Sequence, residues 1–156
     1  LFNMRLNNLS AAIVNAQLPY LKQRVENGRR NHDITAAKLS GSEWIHLPEK
    51  FEHESRAPDS IQFNLIGLTP PEVIQFCDVI NTMGIKLQIF GLSKDNARAY
   101  WNWDFLPEKY NLPKTREMLR NACDVRLPAR LSLNDCKNIA EMILEALRQV
   151  KNNVAA

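Results

Sequence analysis

"SIQFNLIGLTPPEVIQFCDVINTMGIKLQIFG", residues 60–91, has the pattern of a strand, a helix and a second strand. In its first part apolar and polar residues alternate, which is typical of a strand with one buried face. The apolar members of this alternation are Ile61, Phe63 and Leu65. The stretch therefore predicts that a short sheet packs against at least one helix.

The middle of this stretch carries the start and stop signals of a helix. Thr69 is a suitable N-cap, Pro70 fits the first helical position, and Glu72 completes a capping box. Gly84 ends the predicted helix at its C-terminal side, and "IKLQIFG" (85–91) returns to a strand pattern.

The flanking segments add helices and short strands. Before the stretch we expect two helices, separated by a break at Gln17 to Pro19, with the second running to about Leu39. Gly28 lies inside the second helix, where a glycine costs roughly 1 kcal/mol relative to alanine. The other expected elements are a strand in "EWIHLP" (43–48), a polar loop in "KFEHESRAPD" (50–59), a helix in "KTREMLRNACD" (114–124), a strand in "VRLP" (125–128) and a last helix capped by Ser132 and Asp135.

These elements predict an α+β fold with a short three- to four-stranded sheet packed with helices, preceded by long N-terminal helices. A chain of 156 residues fits a single domain, so we expect one domain over residues 1–156. The hydrophobic fraction of 45% and the charged fraction of 24% are those of an ordinary globular protein.

The cysteines and the hydropathy of the sequence indicate the cellular compartment in which we expect the protein. The three cysteines form no C-x-x-C pair, and no secretory segment is visible, so we expect a reduced, cytoplasmic protein. Cys77 and Cys136 fall at apolar helical positions and are interpreted as core residues. No apolar stretch reaches the roughly 18 residues that cross a bilayer, so no membrane partner is expected. The first residue is not methionine, which we interpret as a boundary or cleavage point.

The densest basic run is "KQRVENGRRNH", residues 22–32. It is interpreted as the solvated face of a helix, with a phosphate-facing role as the alternative. A net charge of +3 is low for a dedicated nucleic-acid binder, so we expect no nucleic-acid partner.

Catalytic patterns are sparse. None of His32, His46 and His53 has a zinc-like spacing. His46 and His53 lie among three glutamates. We interpret this segment as a solvated acidic loop and expect no metal, with a metal site as the alternative. The glutamates are Glu49, Glu52 and Glu54. There is no glycine-rich phosphate loop and no Gly-x-Ser-x-Gly motif, so the residues alone indicate a supporting or binding domain.

"FNMRLNNLSAAIVNAQLPYL" (2–21), followed by a long helix, resembles the segment that opens the C-terminal part of the DegT/DnrJ/StrS family of pyridoxal-phosphate (PLP)-dependent aminotransferases. The residues in register are Asn3, Arg5, Ala11, Ala12, Ile13, Gln17 and Leu18. The blocks "IQFNLIG", "PPEVIQFCDVINTMGIKLQIF" and "DVRLPARLSLNDCKNIAEMI" follow in the family's order, so the resemblance covers nearly the whole chain.

The resemblance implies the small C-terminal domain of a fold-type-I aminotransferase. Members of the family typically transfer an amino group from glutamate to a keto-sugar nucleotide, and they work as homodimers. The Schiff-base lysine lies in a large N-terminal domain ahead of the matched motif. We therefore expect that this chain lacks the catalytic PLP-lysine domain, binds no PLP alone and is inactive alone, which leaves open whether it is an enzyme. The alternative is a stand-alone binding or dimerisation module with the same fold.

The resemblance also implies roles for two residues near the start. The asparagine that matches Asn3 reaches the cofactor phosphate of the other subunit, and the arginine that matches Arg5 points into the same shared active site. The alternative is that Asn3 caps the first helix and Arg5 is a surface charge.

One segment departs from the family pattern. "DNARAYWNWDFLP" (95–107) stands where sugar aminotransferases commonly carry a Pro-Leu-His-type loop, so the substrate is open. Four of its residues are candidates for substrate contact, with a core or lid role as the alternative. They are Arg98, Tyr100, Trp101 and Trp103.

Overall fold

The computed structural model describes residues 7–105 and 110–154. It contains five α-helices, two short 3-10 turns and four strands within those residues. In chain order they are α1 (Asn8–Gln17), a 3-10 turn (Leu18–Tyr20), α2 (Leu21–Leu39), β1 (Ile45–His46), β2 (Ser60–Leu65), α3 (Pro70–Thr82), β3 (Leu87–Ile89), a 3-10 turn (Tyr100–Asn102), α4 (Pro113–Asn121), β4 (Ala122–Arg126) and α5 (Leu133–Val154).

The four strands form one sheet in the order β1-β2-β4-β3, with every neighbouring pair antiparallel. The strand β4 lies between β2 and β3, so the β2–α3–β3 segment is a split βαβ unit. The predicted α+β class and the short sheet of three to four strands are confirmed.

The inner face of the sheet forms the core with α2, α3 and α5. Alternate residues of the three longer strands point to this face, as the two-residue period of a strand requires. They are Ile61, Phe63, Leu65, Leu87, Ile89, Cys123 and Val125. One side of α5 packs on the same core, with Ile143, Leu147 and Val150 fully buried.

The predicted caps are confirmed. In α3 the Glu72 carboxylate accepts hydrogen bonds from the backbone N–H of Thr69 at 2.6 Å and from its hydroxyl at 2.7 Å. In α5 the backbone N–H of Ser132 donates to Asp135 at 2.9 Å, and that of Asp135 donates to the Ser132 hydroxyl at 3.1 Å. Gly84 follows α3 with φ +86°, a conformation that favours glycine.

The helix predicted over residues 114–124 is wrong at its C-terminal end. The helix α4 ends at Asn121, and β4 begins at Ala122. Cys123 and Val125 lie on the inner face and pair with Phe63 and Ile61 of β2. Long-range strand pairing therefore overrides the local helix signal.

Gly28 allows a close approach between α2 and the segment 47–59. A Cβ at this position would lie 2.3 Å from the carbonyl oxygen of Pro58. Arg29 supports the same approach, because it donates to the Arg56 carbonyl at 2.7 Å and to the Ser55 hydroxyl at 2.8 Å. Gly28, which lowers the helix propensity of α2, is therefore also needed for packing against segment 47–59.

The N-terminal helix α1 is separated from α2 by the predicted break, which takes the form of the 3-10 turn at Leu18–Tyr20. No residue of α1 is buried. Its apolar residues Leu9, Ile13 and Val14 are 73%, 52% and 46% exposed. This helix therefore exposes apolar side chains that the rest of the described chain does not cover.

Candidate functional site

The two residues with implied cofactor roles, Asn3 and Arg5, lie outside the described residues. The N-cap of α1 is Asn7, whose side chain accepts a hydrogen bond from the backbone N–H of Ser10 at 2.8 Å. The capping function that was the alternative role for Asn3 is thus performed by Asn7 at this helix.

The aromatic segment 95–105 packs on the outer face of the sheet, near its end. Phe90 continues β3 and forms a small second core with Leu119 and Ala122, against which Trp101 packs. The guanidinium of Arg116 lies 4.7 Å from the centre of the Trp101 ring. This second core lies on the face opposite the main core, because Phe90 and Ala122 alternate with inward-pointing residues.

Two of the four candidate residues hold this segment together. Tyr100 is 7% exposed, and its hydroxyl accepts a hydrogen bond from the backbone N–H of Leu112 at 3.1 Å. Trp101 packs edge-on against Tyr100 with ring centres 5.2 Å apart. In the described residues these two side chains therefore have packing roles.

The other two candidates, Arg98 and Trp103, each contact an aromatic ring. Arg98 is exposed, and its guanidinium lies 4.3 Å above the ring of Phe90. Trp103 is stacked on Phe105 with ring centres 5.4 Å apart, and Phe105 is 76% exposed. Arg98 is thus the exposed member of the set, whereas Trp103 is half-buried like Trp101 and its indole N–H donates to the Ala97 carbonyl at 2.5 Å.

The outer face also carries a polar row that the sequence reasoning missed. Gln62, Asp124 and Gln88 are direct neighbours in the register of β2, β4 and β3. Asp124 is only 6% exposed and accepts hydrogen bonds from the Ser60 hydroxyl at 2.8 Å and from the Gln62 amide at 3.0 Å. The signal in the sequence is the polar alternation in the strands, but it shows a shared face only once the pairing is known.

The basic run 22–32 lies in α2, and part of it binds neighbouring loops. Besides the contacts of Arg29 with segment 47–59, Arg30 donates to the Leu131 carbonyl at 2.9 Å. Between α2 and segment 47–59 lies an open cavity of about 840 Å³. The cavity is lined by both positively and negatively charged side chains, including Arg29, Asp33 and Glu54. Its electrostatic potential is therefore not uniformly positive, in contrast to what an anion-binding cavity requires.

The lysines of the described residues are exposed or paired with a carboxylate. A lysine that attacks a carbonyl needs an apolar or cationic setting that lowers its pKa. Every described lysine except Lys151 has an exposed side chain, and the ammonium of Lys151 is bound to Glu72 at 2.8 Å.

Other reactive groups are buried or dispersed. Burial raises the pKa of the thiols of Cys77, Cys123 and Cys136, which disfavours the nucleophilic thiolate. Within the described ranges, no cluster of three or more His, Cys, Asp or Glu side chains is arranged to hold a metal ion. No helix in those ranges is long and apolar enough to cross a membrane.

The fold matches part of several solved enzymes. The Helicobacter pylori protein PseC, an aminotransferase involved in pseudoaminic acid biosynthesis, superposes with a TM-score of 0.79 at 12% identity, over 95% of this chain and 39% of that one. A candidate sugar aminotransferase from Streptococcus pneumoniae, Spr1654, gives a TM-score of 0.80 at 18% identity, over 97% and 38%. A GDP-4-keto-6-deoxymannose-3-dehydratase with PLP and glutamate trapped together gives 0.66 at 17% identity, over 91% and 36%.

The described part of this chain is therefore an α+β domain whose fold is found in one part of each of these solved proteins. The chain spans less than two-fifths of the length of the first two solved relatives. The model of the DegT/DnrJ/EryC1/StrS aminotransferase family matches residues 2–144, and the chain belongs to that family. A search of curated proteins found no match.

Proposed function

We propose that this chain acts as the C-terminal domain of a cytoplasmic, homodimeric PLP-dependent aminotransferase that transfers an amino group from glutamate to a keto-sugar nucleotide. The observation that carries the proposal is the family match over residues 2–144, combined with a fold that spans about two-fifths of its solved relatives. On this proposal the catalytic lysine is supplied by a domain outside the 156 residues.

The exposed face of α1 supports a larger assembly. Leu9, Ile13 and Val14 expose apolar surface on a helix with no buried residue of its own. Such surface is covered in stable proteins because its burial is favourable, at about 25 cal/mol per Å². We infer that the PLP-binding part of the enzyme packs against these exposed side chains of α1.

Asn3 and Arg5 are the proposed contributions of this chain to the cofactor site. An asparagine amide can donate a hydrogen bond to a phosphate oxygen. An arginine guanidinium can bind a carboxylate or phosphate through two parallel N–H···O hydrogen bonds. When bound, PLP supplies an electron sink for the transamination. The role of this chain is then to hold and orient anionic groups at the edge of that site, and it is inactive without the rest of the enzyme.

The proposal is tested in the longer gene product that it requires, in which this chain is joined to a PLP-binding domain. We expect Asn3→Ala and Arg5→Ala to weaken PLP binding, measured by titrating the cofactor absorbance, by about tenfold, since each removes a hydrogen bond to a charged group.

Asn7→Ala and Arg24→Ala are the matched controls. Asn7 caps α1, and Arg24 donates to Gln17 at 3.0 Å, so both variants change local stability and leave PLP affinity as in wild type. Wild-type PLP affinity and turnover in the Asn3 and Arg5 variants would contradict the site assignment. A longer product without a PLP-binding segment would instead favour a stand-alone binding module.

A further inference from the structure

The strand β3 lies at one edge of the sheet, and one of its two sides is unpaired. In the order β1-β2-β4-β3, its strand neighbour in the described part of the chain is β4. The backbone N–H of Phe90 donates to the Ala122 carbonyl at 3.0 Å, so Phe90 and, two residues earlier, Gln88 bond to β4. The backbone N–H groups of Leu87 and Ile89 therefore point away from β4. We call this side of residues 87–89 the open edge.

The turn after β3 agrees with this direction. The Ile89 carbonyl accepts hydrogen bonds from the backbone N–H of Leu92 at 3.2 Å and of Ser93 at 3.4 Å, and neither residue belongs to β4. This carbonyl is therefore satisfied. The Leu87 N–H, the Leu87 carbonyl and the Ile89 N–H remain on the open edge. Unpaired backbone groups on an edge strand are a template for the addition of another strand.

A groove of about 960 Å³ lies along the open edge and is lined by residues between Gly84 and Ser93. On the inner side of the sheet its wall is apolar. This wall consists of Cys77 of α3, Leu131, and Ile139 of α5, which are half-buried and pack against the main core. A strand that added to the open edge would place every second side chain on this wall.

The other side of the groove carries positive charge. The register of β3 and β4, continued by one residue, places Lys86 opposite Arg126 on the outer face, and both line the groove. Like charges in directly opposite positions destabilise a sheet. Arg126 is paired with Asp59, but Lys86 and the third cation of the groove, Arg130, have no hydrogen-bond or ion-pair partner among the described residues. Both of these side chains are exposed, so they are free to bind an acidic group.

The acidic residue of the lining does not neutralise these cations. Asp124 is only 6% exposed, and its carboxylate accepts hydrogen bonds from Ser60 and Gln62. The accessible charge of the groove is therefore positive. Since one wall is apolar and the other is cationic, an added strand fits when its apolar and acidic residues alternate.

We propose that the open edge of β3 binds an extended segment of a partner protein, in which apolar and acidic residues alternate, as a fifth, antiparallel strand of the sheet. The main-chain hydrogen bonds supply affinity and the alternate side chains supply specificity, as in other cases of strand addition. A second copy of this chain is a poor occupant, because pairing β3 with β3 brings Lys86 and Arg126 of both copies into one seam. The inference is independent of the proposed function, since it uses no residue of the proposed cofactor site.

The first test titrates the 156-residue chain into a fluorescein-labelled peptide, Glu-Val-Asp-Val-Glu-Val-Asp, and measures fluorescence anisotropy at low ionic strength. We expect saturable binding. A peptide with lysine at every acidic position should bind about tenfold or more weakly, because it meets like charge.

Two N-methylated peptides test the strand geometry. In an antiparallel pair with Leu87, the valine N–H groups point at β3 and those of the acidic residues point away. Methylation of the valine nitrogens should weaken binding about tenfold or more, since it removes the main-chain donors. Methylation of the acidic residues' nitrogens is the matched control and should change the affinity less than about twofold.

Variants of the chain test the charge assignment. Lys86→Gln and Arg130→Gln should each weaken binding of the acidic peptide about two- to fivefold, the usual range for exposed ion pairs. Lys22→Gln and Arg24→Gln are the matched controls, because these exposed residues of α2 do not line the groove, and both should bind as wild type does. All four substitutions are at exposed positions, so the fold is retained.

Hydrogen exchange measured by NMR reports the open edge directly and needs no variant. In the free chain we expect the Leu87 amide to exchange faster than that of Gln88, whose N–H bonds to β4. A saturating concentration of the acidic peptide should slow exchange at Leu87 about tenfold or more and leave Gln88 unchanged.

The inference is overturned by the absence of saturable binding, by equal affinities of the two N-methylated peptides, or by a peptide that leaves exchange at Leu87 unchanged. Equal affinities of the acidic and lysine peptides, or equal losses in the α2 controls, would overturn the assigned chemistry of the partner. A dimer that forms with rising protein concentration and slows exchange at Leu87 without peptide would give the open edge to a second copy and overturn the assigned partner.

Discussion

Single residues set how closely segment 47–59 approaches α2. Gly28 has room for a hydrogen but no room for a methyl group, since a Cβ would lie 2.3 Å from the Pro58 carbonyl oxygen. The atom in the way belongs to the backbone, so relief requires movement of the whole segment. The segment also contains an ion pair between Arg56 and Glu54.

We predict that Gly28→Ala destabilises the chain by about 1–3 kcal/mol, the usual cost of overpacking. The measurement is the free energy of unfolding in urea. Gly41→Ala is the control, because a Cβ there meets nothing within 4 Å and the backbone does not need a positive φ. That control should be neutral or slightly stabilising. A Gly28→Ala protein as stable as wild type would show that segment 47–59 is not fixed to α2.

At the scale of elements, Glu72 joins the start of α3 to the end of α5. Its carboxylate binds Thr69, and it also binds the ammonium of Lys151, which donates in addition to the Gly67 carbonyl at 2.6 Å. The Lys151 and Thr69 hydrogen bonds lower the pKa of Glu72 from 4.5 to about 2.

This lowered pKa predicts a specific acid dependence of stability. The contribution of Glu72 is fully present above its unfolded pKa of 4.5 and is lost as the pH falls toward about 2, because the unfolded chain takes up the proton first. The stability difference between wild type and Glu72→Gln, measured by urea unfolding across that range, should therefore shrink with falling pH. Glu26→Gln is the control, since Glu26 is exposed and its nearest cation, on Lys22, is 4.0 Å away. A difference that is constant with pH would contradict the assigned contacts.

Helix ends that depend on side chains close together in the sequence were predictable from it. Strand boundaries that depend on pairing with a distant strand were not. The caps at Thr69 and Ser132 follow from side chains three residues apart, and the structure confirms both. The start of β4 at Ala122 depends on its pairing with β2, which no local pattern reports. The polar row around Asp124 was missed for the same reason, because three distant strands contribute to it. The roles of Asn3 and Arg5 remain predictions, since they rest on the resemblance alone.

At the scale of the whole molecule, α1 is the element that the rest of the described chain does not cover. Ile13→Glu places a charge on a surface that is already 52% exposed, so the 156-residue chain should keep its free energy of unfolding within about 0.5 kcal/mol. On the proposed function the same change in the longer gene product buries a charge against the proposed PLP-binding part, and we expect a clear loss of thermal stability there.

Asn15→Glu, on the same helix, is the control for that comparison, because Asn15 is exposed and polar already. Equal behaviour of Ile13→Glu and Asn15→Glu in the longer product would mean that the apolar face of α1 stays uncovered there.

The central claim is that this chain is one part of a PLP enzyme and lacks the lysine that carries the cofactor. The most direct measurement is the intact mass of the 156-residue chain and of the longer gene product after incubation with PLP and reduction with borohydride. We predict one stoichiometric PLP-lysine adduct in the longer product, located outside these residues, and none in the chain. A stoichiometric adduct on a lysine of the isolated chain, accompanied by amino transfer from glutamate, would contradict the account.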